Sequence, residues 1–456
     1  MDELDRILDG SLPRACGAEA VFRLRRVVVG SGACAALGPW LRQMGHQTLL
    51  VVADPRTWRA AGEAVRAGLD AIGVRWTVHE LGGQPPCTDD PTIASAADAA
   101  RAHAADALVA VGAGTVCDVT KAAATRLDRP WVSVPTAPSM NGYASAVAAV
   151  LRDGVKVTEP ARQAEAIFAD LDVLSQAPAE MIAAGLGDLV SKPLSATCWR
   201  IAAVMRGVRV VEPAVTLLDR AFDAVLARAA ALPARDPEAI GRLVDALVLG
   251  GCAMALAGTS APASGGEHLV SHYWDMLEHA AGRPVRALHG LQVAVGVGLV
   301  GRLHAELARA ALQTESVEAW MQDHPPDAAT LARRVRERHP DLPAPIVERV
   351  VAQALGKYRP PDAQRDALVA LQRAWPRLRT ALQRVAHDAE RIEAALRAAG
   401  VPRTPAALGV DTRRVQHTVR VCRDIRSRYT VLDLAADTGR LEAFARRCTR
   451  DGVEDA

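Results

Sequence analysis

Short hydrophobic runs alternate with stretches of helical periodicity from about residue 21 onward. The hydrophobic runs predict strands over 26–29, 48–53, 74–78, 107–111 and 131–134. Between them polar and apolar positions follow helical spacing, as they do over 57–72. Because strands of this buried type alternate with helices, the pattern predicts a parallel, doubly wound α/β sheet of Rossmann-like type.

The pattern changes near Pro178, after which apolar positions recur at helical spacing almost to the C-terminus. Helices are predicted over 179–207, 211–231, 236–258, 265–280 and 289–313, with further helices to about 448. A chain of 456 residues also exceeds what one hydrophobic core usually supports. We therefore predict two domains, an α/β domain over 1–177 and an all-α domain over 178–456.

Charge and composition narrow the class of protein. The 54 basic and 52 acidic residues nearly balance, and no basic stripe is interleaved with aromatic residues, so no nucleic-acid partner is expected. None of the eight cysteines forms a Cys-x-x-Cys pair, and a disulfide framework is not expected. The acidic start is unlike a signal peptide, and no apolar run reaches the roughly 18 residues of a membrane span. These features predict a cytoplasmic protein with no membrane insertion.

Two glycine motifs are candidates for holding the pyrophosphate of a dinucleotide. The run Gly30–Ala35 matches the G-x-G-x-x-G/A fingerprint, with Asp54 following about 20 residues later. The run Gly112–Asp118 follows the predicted strand 107–111 and opens a helix, but it lacks the third small residue. A helix N-terminus with close backbone approach still attracts phosphate. Either motif could instead be a tight turn between a strand and a helix, and the residues alone leave the choice open.

Asp54 and the polar run Pro135–Ser145 each follow a predicted strand, at the sheet edge where ligands bind in such folds. The Asp54 carboxylate suits a pair of ribose hydroxyls and would repel a 2′-phosphate, which favours NAD over NADP. Asp54 could equally cap the helix that follows it. The polar run could equally be a turn that uses proline, asparagine and glycine for its geometry.

Metal-type ligands are spread over a hundred residues of the predicted helical region. Asp188, His268 and His289 supply one carboxylate and two imidazoles, which leaves a fourth position for substrate on a divalent metal. His268 and His272 are four residues apart and share one helix face. Ser264–Glu267 is predicted to be the capping box of that helix. A single histidine of this kind is more often a structural residue than a metal ligand. The presence of three candidate ligands in a plausible order makes a purely structural role less favoured.

These motifs together resemble the sn-glycerol-1-phosphate dehydrogenase family, which is related to iron-type alcohol dehydrogenases, glycerol dehydrogenases and dehydroquinate synthases. The segments 167–192 and 425–434 are most similar to the bacterial branch associated with arabinose operons. The resemblance implies NAD or NADP as cofactor and a bound metal, usually zinc with nickel as the alternative. It also implies a small phosphorylated substrate and a homodimer or larger homo-oligomer.

The resemblance also assigns residues. The implied cofactor positions are Asp54, Gly112, Ala113, Gly114, Thr115, Val116, Thr136, Ala137, Pro138, Ser139 and Ser145. The implied metal ligands are Asp188, His268 and His289, and Asp188 and His272 also match substrate-contacting positions. This assignment puts the pyrophosphate on the second glycine motif and makes the first a structural turn.

Three positions depart from the family pattern. Asn141 stands where the family has an aspartate that holds the substrate hydroxyl, Cys198 replaces an aspartate, and Pro193 replaces a helix-compatible residue. Asparagine keeps one acceptor and adds donors but loses the charge. We therefore expect Asn141 to hydrogen-bond a substrate hydroxyl, and we expect substrate affinity or identity to differ from the family.

The resemblance implies that dihydroxyacetone phosphate is reduced to sn-glycerol 1-phosphate, reversibly. The metal would polarise the substrate carbonyl, a reduced nicotinamide would supply hydride, and His272 or a metal-bound water would supply the proton. Lys121 and Lys192 are both candidates for binding the phosphate.

Other readings of the chain stay open. The first is a related polyol or phosphorylated-carbonyl dehydrogenase with a different substrate. The second is a dehydroquinate synthase-like lyase that uses NAD transiently, which the two cations Lys192 and Arg200 in 188–200 weakly disfavour. The third is a non-catalytic binding protein, suggested by Asn141 and Cys198 but disfavoured by the intact ligand triplet.

Overall fold

The computed structural model describes residues 3–83, 86–152 and 155–448 of the chain. The strands within these ranges are β1 (Arg26–Gly30), β2 (Thr48–Ala53), β3 (Arg75–Glu80), β4 (Ala107–Val111), β5 (Trp131–Val134), β6 (Val147–Arg152), β7 (Val155–Pro160) and β8 (Ala166–Asp170). Six of them form one sheet in the order β1-β8-β5-β4-β2-β3, and β6 pairs with β7 in a separate two-stranded sheet. All pairs in the larger sheet are parallel.

Helices surround these strands and then fill the rest of the chain. The helices up to residue 257 are α1 (Glu3–Leu8), α2 (Ser11–Cys16), α3 (Leu37–Gln43), α4 (Pro55–Asp70), α5 (Asp90–Ala102), α6 (Gly114–Leu127), α7 (Leu171–Leu174), α8 (Ala179–Leu189), α9 (Lys192–Arg206), α10 (Glu212–Leu226) and α11 (Pro237–Ala257). The later helices are α12 (Gly266–Ala280), α13 (His289–Arg309), α14 (Val317–Met321), α15 (Ala328–Arg338), α16 (Ala344–Leu355), α17 (Pro361–Ala398), α18 (Thr412–Val421), α19 (Val431–Asp437) and α20 (Leu441–Arg447). Short 3-10 helices lie at Ala33–Ala36, Ala229–Ala231, Ala261–Ala263, Leu312–Thr314, Ala406–Leu408 and Cys422–Ile425.

The predicted fold class is confirmed, since a parallel sheet with helices precedes a helical C-terminal region. The five predicted strands are β1 to β5, within two residues at each end. The pattern missed β8, which lies between β1 and β5 and is buried at all five positions. This strand follows β6 and β7 of the two-stranded sheet instead of a helix, so the alternation that identified the other strands fails there.

The predicted helix 179–207 is two helices, because α8 ends at Leu189 and α9 begins at Lys192. Pro193 therefore lies in the first turn of α9, where the missing N–H would have no intrahelical partner anyway. The departure at this position is accommodated without a kink. Helix α11 is long and apolar enough to cross a membrane by length and composition alone, which the prediction from apolar runs did not anticipate. Its most apolar window is 83% buried inside the protein, as in the core helix of a folded domain.

The chain forms two compact units that do not follow a single cut along the sequence. One contains the described residues of Met1–Arg152, Lys156–Leu189 and Val211–Ser260, and therefore the larger sheet with α8, α10 and α11. The other contains those of Asp153–Val155, Val190–Val210 and Ala261–Ala456, and therefore α9 and α12 to α20. The division into domains at 177 and 178 stays a prediction.

Candidate active site

The carboxyl edge of the parallel sheet carries the second glycine motif, directly after β4. Helix α6 begins at Gly114, and its N-cap residue Ala113 provides no side-chain hydrogen bond to the first N–H groups. A Cβ on Gly112 would lie 2.5 Å from the Cβ of Val116, so the turn into the helix requires glycine there. A Cβ on Gly114 would have no heavy atom within 4 Å. The motif thus presents an open helix N-terminus of the type that binds phosphate.

The first glycine motif is closed by a carboxylate from its own sheet. The Gly32 amide donates to Oδ1 of Asp170 at 3.1 Å, and the Cys34 amide donates to Oδ2 at 3.0 Å. Gly32 has a φ of 69°, in the left-handed region that favours glycine. Asp170 therefore fills the position that a phosphate would take. This arrangement supports the assignment of the motif as a structural turn.

Asp54 caps α4, which is the structural role that the sequence left open. Its Oδ1 accepts from the amides of Arg56 at 2.7 Å and Thr57 at 3.0 Å. The side chain is largely buried at the end of β2, and both of these hydrogen bonds use the same carboxylate oxygen. Helix capping through Oδ1 is compatible with ribose recognition through Oδ2, so the cofactor contact stays a prediction.

The polar run after β5 is mostly buried. Thr136, Ala137 and Pro138 are buried, whereas Ser139 is partly exposed. The Ser145 hydroxyl lies within hydrogen-bond distance of Lys121 Nζ at 3.0 Å and donates to the carbonyls of Gly142 and Val147. Ser145 therefore holds the loop together from inside, and its predicted contact with the cofactor stays a prediction.

Asp188 is held by the loop that contains Asn141. The Asn141 backbone amide donates to Oδ2 of Asp188 at 3.0 Å, and its side-chain Nδ2 donates to Oδ1 at 3.2 Å. Helix α8 comes close to this loop because Gly185 has no side chain: a Cβ there would lie 1.8 Å from the carbonyl oxygen of Pro138. Sequence reasoning gave Asn141 a substrate contact, which stays a prediction, and it missed the brace on Asp188.

Three imidazoles cluster at the start of α12 and α13. The ring centroids of His268 and His289 are 5.2 Å apart, those of His272 and His289 are 5.3 Å apart, and those of His268 and His272 are 6.1 Å apart. His268 and His272 are buried, and His289 is half-buried. The helical spacing that predicted a shared face for His268 and His272 is therefore confirmed, and α13 begins at His289 as predicted.

Glu267 orients His268, a role that the sequence did not reveal. Its Oε1 accepts from His268 Nδ1 at 3.0 Å, from Ser195 Oγ at 2.7 Å and from the Gly265 amide at 2.8 Å. With the hydrogen on Nδ1, the Nε2 of His268 carries the lone pair that a metal ligand needs. Gly265 is the N-cap and no side chain caps the helix, so the predicted capping box is wrong.

Glu267 is fully buried, and its Oε2 is a buried atom without a hydrogen-bond partner. Burial alone would raise the pKa of Glu267, but the hydrogen bonds that it accepts from His268, the backbone and Ser195 help to hold that pKa below its ordinary value. An ionised carboxylate in this position is stabilised by a cation on the far side of the imidazole. The surroundings of His268 thus fit a bound metal.

The other two imidazoles have different partners at Nδ1. His289 Nδ1 lies 3.0 Å from the Ser271 hydroxyl, which can accept the Nδ1 hydrogen and leave Nε2 as the ligand atom. His272 Nδ1 lies 3.4 Å from the Arg426 guanidinium, which can only donate. The neutral His272 therefore carries its hydrogen on Nε2. That tautomer suits a hydrogen-bond or proton donor and not a metal ligand.

Cys198, the third departure from the family pattern, is a buried structural residue. Its Sγ accepts from the Val431 amide at 3.4 Å, and burial raises the pKa of the thiol to about 12. The side chain is therefore a neutral thiol at physiological pH. It packs the start of α19 against α9 and offers no charge to a substrate.

Comparison with known proteins finds a matching family model and similar proteins. A family model described as iron-containing alcohol dehydrogenase matches residues 28–178. The glycerol-1-phosphate dehydrogenase (NAD(P)+) of Halalkalibacterium halodurans is 33% identical over 303 residues, covering 66% of this chain and 75% of that protein. The protein of the same name from Geobacillus thermodenitrificans is 35% identical, covering 65% of this chain and 74% of that protein.

Solved structures give the same fold. A probable glycerol dehydrogenase from Sinorhizobium meliloti aligns with a TM-score of 0.57 over 93% of this chain and 98% of its own. Its sequence identity of 19% makes this a likeness of fold alone.

Proposed function

We propose that this chain, which belongs to the glycerol-1-phosphate dehydrogenase family and is an NAD(P)-dependent oxidoreductase, reduces dihydroxyacetone phosphate to sn-glycerol 1-phosphate in a reversible, metal-dependent reaction. The observation that carries the proposal is the contrast between His268, whose Nδ1 is held by a carboxylate, and His272, whose Nδ1 is held by a guanidinium. The first has the tautomer of a metal ligand and the second that of a proton donor.

The nicotinamide cofactor would bind at the carboxyl edge of the sheet. Its pyrophosphate would lie on the amides of Gly112–Val116, at the uncapped start of α6. Asp54 would receive the ribose hydroxyls, which favours NAD over NADP, and the loop Thr136–Ser139 with Ser145 would shape the nicotinamide end.

Asp188, His268 and His289 would hold the metal, with zinc favoured and nickel as the alternative. One carboxylate and two imidazoles with a fourth position for substrate is a donor set typical of catalytic zinc. Asn141 would fix the Asp188 carboxylate, Glu267 would fix His268, and the Ser271 hydroxyl would fix His289. When bound, the metal supplies Lewis-acid stabilisation for negative charge that develops on the substrate oxygen.

The reduction needs a hydride and a proton. The reduced nicotinamide would transfer hydride to the carbonyl carbon, and the carbonyl oxygen would take a proton from His272 Nε2 as its negative charge develops. Arg426 keeps Nδ1 of His272 as an acceptor, and so keeps the hydrogen on the nitrogen that donates. The cytoplasmic location and the homo-oligomeric state stay predictions.

The proposal is tested by following NADH and NADPH oxidation after loading the protein with zinc or nickel. Dihydroxyacetone phosphate, dihydroxyacetone and glyceraldehyde 3-phosphate would be compared as substrates. We expect selective turnover of the first, with NADH preferred, and loss of both bound metal and turnover in Asp188→Ala. The control Asp98→Ala removes an exposed carboxylate of the same unit that pairs with Arg101, and it should leave both unchanged.

Two results would contradict the proposal. Turnover of a phosphorylated substrate without net oxidation of NADH would indicate a lyase that uses NAD transiently. No turnover of any of the three substrates, with metal and cofactor bound, would indicate another substrate or a binding protein.

A further inference from the structure

Dihydroxyacetone phosphate carries a dianionic group, and its recognition requires cations that are not already neutralised. The need for such a cation rests on the proposed function, which makes a phosphorylated compound the substrate. Of the two lysines that the sequence analysis names as candidates for the phosphate, Lys121 has a fully buried ammonium. It donates to the carbonyls of Gly142 and Val147 at 2.8 Å, to Ser145 Oγ at 3.0 Å and to Asp118 at 3.2 Å. Four acceptors exceed its three hydrogens, so Lys121 is committed to the loop.

Lys192 is also committed to its surroundings. Its buried Nζ donates to Ser191 Oγ and to the Ala263 carbonyl, both at 3.2 Å. These contacts join the start of α9 to the segment before α12. A cation for the phosphate is therefore better sought elsewhere among the residues around the imidazoles.

Two arginines flank the imidazole cluster on the segment that precedes α19. Arg426 has an extended backbone, with φ −141° and ψ 144°, and its guanidinium contacts His272 of α12. Arg428, two residues later, donates to the Ser264 carbonyl just before α12. Ser427 between them is exposed, whereas both arginines are partly buried. The segment thus directs two guanidinium groups toward the start of α12.

Within the described part of the chain, Arg426 lacks an acidic partner of the kind that Arg338 and Arg423 have. Arg338 pairs with Asp424 at 3.2 Å, and Arg423 pairs with Asp433 at 3.3 Å. Among the residues that the structure describes, no carboxylate lies within ion-pair distance of Arg426, and its guanidinium lies 3.4 Å from His272 Nδ1. Burial and the charge of Arg428 lower the pKa of Arg426 to about 10, so it keeps its charge at physiological pH.

We propose that Arg426, with the positive field of Arg428 beside it, binds the phosphate group of the substrate. The planar guanidinium matches two phosphate oxygens, and a partly buried cation without a counterion is stabilised when a dianion arrives. In dihydroxyacetone phosphate one ester oxygen and one methylene separate the phosphorus from the carbonyl carbon. Arg426 contacts His272, so it could bind the phosphate while His272 donates a proton to the carbonyl oxygen of the same substrate molecule.

The test compares a substrate with a phosphate and one without it. Arg426→Gln should lower kcat/KM for dihydroxyacetone phosphate about 10- to 150-fold more than for dihydroxyacetone, mainly through KM, as expected for a lost charged hydrogen bond. Arg426→Lys should recover part of this difference. Arg336→Gln is the matched control, because Arg336 is an exposed arginine of the same unit that pairs with Glu348.

Arg426 also contacts His272, so the variants can lower kcat for both substrates, and only the difference between substrates reports on phosphate. An equal loss with both substrates would overturn the proposal and leave Arg426 as a positioning residue for His272. Calorimetric titration with inorganic phosphate separates this proposal from the proposed function, because it needs no turnover. Weaker phosphate binding by Arg426→Gln than by wild type supports the subsite even if the substrate is a different phosphorylated compound, and equal binding refutes it.

Discussion

The carboxylate and the imidazoles that we propose as metal ligands are held in different ways. Asp188 lies in the unit with the large sheet, and it is positioned by the Asn141 loop and by close packing that glycine permits. His268 and His289 lie in the helical unit, and they are positioned by the side chains of Glu267 and Ser271. Backbone packing together with the hydrogen bonds of Asn141 controls the first ligand, whereas side-chain hydrogen bonds control the other two.

Because of this difference, we expect mutations around Asp188 to change the free energy of unfolding and mutations around the imidazoles to change metal affinity. Changes at the packing contacts of α8 should lower the free energy of unfolding, because a close-packed backbone cannot yield. Changes at the partners of the imidazoles should leave folding largely intact and weaken metal binding, since they act on tautomer and orientation. Four substitutions and one matched control test the comparison.

Gly185→Ala should have the largest effect. The added methyl would lie 1.8 Å from the carbonyl oxygen of Pro138, so α8 or the loop must move. We expect a loss of about 3 kcal/mol or more in the free energy of unfolding, as for overpacking at a rigid contact. Chemical denaturation of the metal-free protein measures it.

Gly114→Ala is the matched control, because a methyl there meets no heavy atom within 4 Å. Its free energy of unfolding should stay close to that of wild type, whereas binding of the dinucleotide should weaken if the pyrophosphate lies on this loop. Equal stability of the two variants would contradict the packing argument for Asp188.

Such contacts mark the limit of prediction from sequence. The strands β1 to β5 could be predicted because each is a short apolar run followed by a helix, and Asp188 because it follows Gly185 and Gly187. The contact of Gly185 with Pro138 could not be predicted, since it joins residues far apart in sequence through tertiary packing. The break between α8 and α9 was missed because no glycine or proline lies between Leu189 and Lys192.

The imidazole site shows the same limit. The spacing of His268 and His272 predicted a shared helix face from local geometry alone. The partner that sets the tautomer of His272 is Arg426, 154 residues further along the chain. Local sequence patterns therefore identify the reactive groups. Their hydrogen-bond partners, which distinguish their roles, can be identified only from the folded structure.

Glu267→Gln should have the largest effect on metal binding among the imidazole partners. Glutamine can accept from His268 Nδ1 but brings no negative charge to raise the basicity of the ring. We expect metal affinity to fall about 10- to 100-fold, as for other partners of metal-bound histidines. Competition with a chromogenic chelator measures the dissociation constant. Unchanged affinity would mean that Glu267 serves only to organise Ser195 and Gly265 around the start of α12.

Asn141→Asp tests the brace on Asp188 through pH. The Asn141 Nδ2 lies 3.2 Å from Asp188 Oδ1, so the variant places two carboxylates in contact. Their repulsion raises the folded-state pKa of the pair, and the metal-free variant is then destabilised above that pKa, with the effect disappearing as pH falls below the unfolded value near 4. We expect about 1–2 kcal/mol at pH 8, seen in chemical denaturation at a series of pH values.

Added metal should remove most of this penalty, because a cation between the carboxylates offsets their repulsion. A pH-independent difference between Asn141→Asp and wild type would show that the Asn141 side chain does not face Asp188 in solution.

Ser271→Ala should have the smallest effect and completes the comparison. The variant removes the hydroxyl that lies 3.0 Å from His289 Nδ1, but His289 is half-buried, so water can take over the hydrogen bond. A neutral hydrogen bond contributes about 1 kcal/mol, which corresponds to a loss of roughly 5-fold in metal affinity. The same chelator competition used for Glu267→Gln would measure it. If the two variants lose equal affinity, the charge of Glu267 adds nothing beyond orientation, and the geometry of uncharged hydrogen bonds would position the imidazoles, as it positions Asp188.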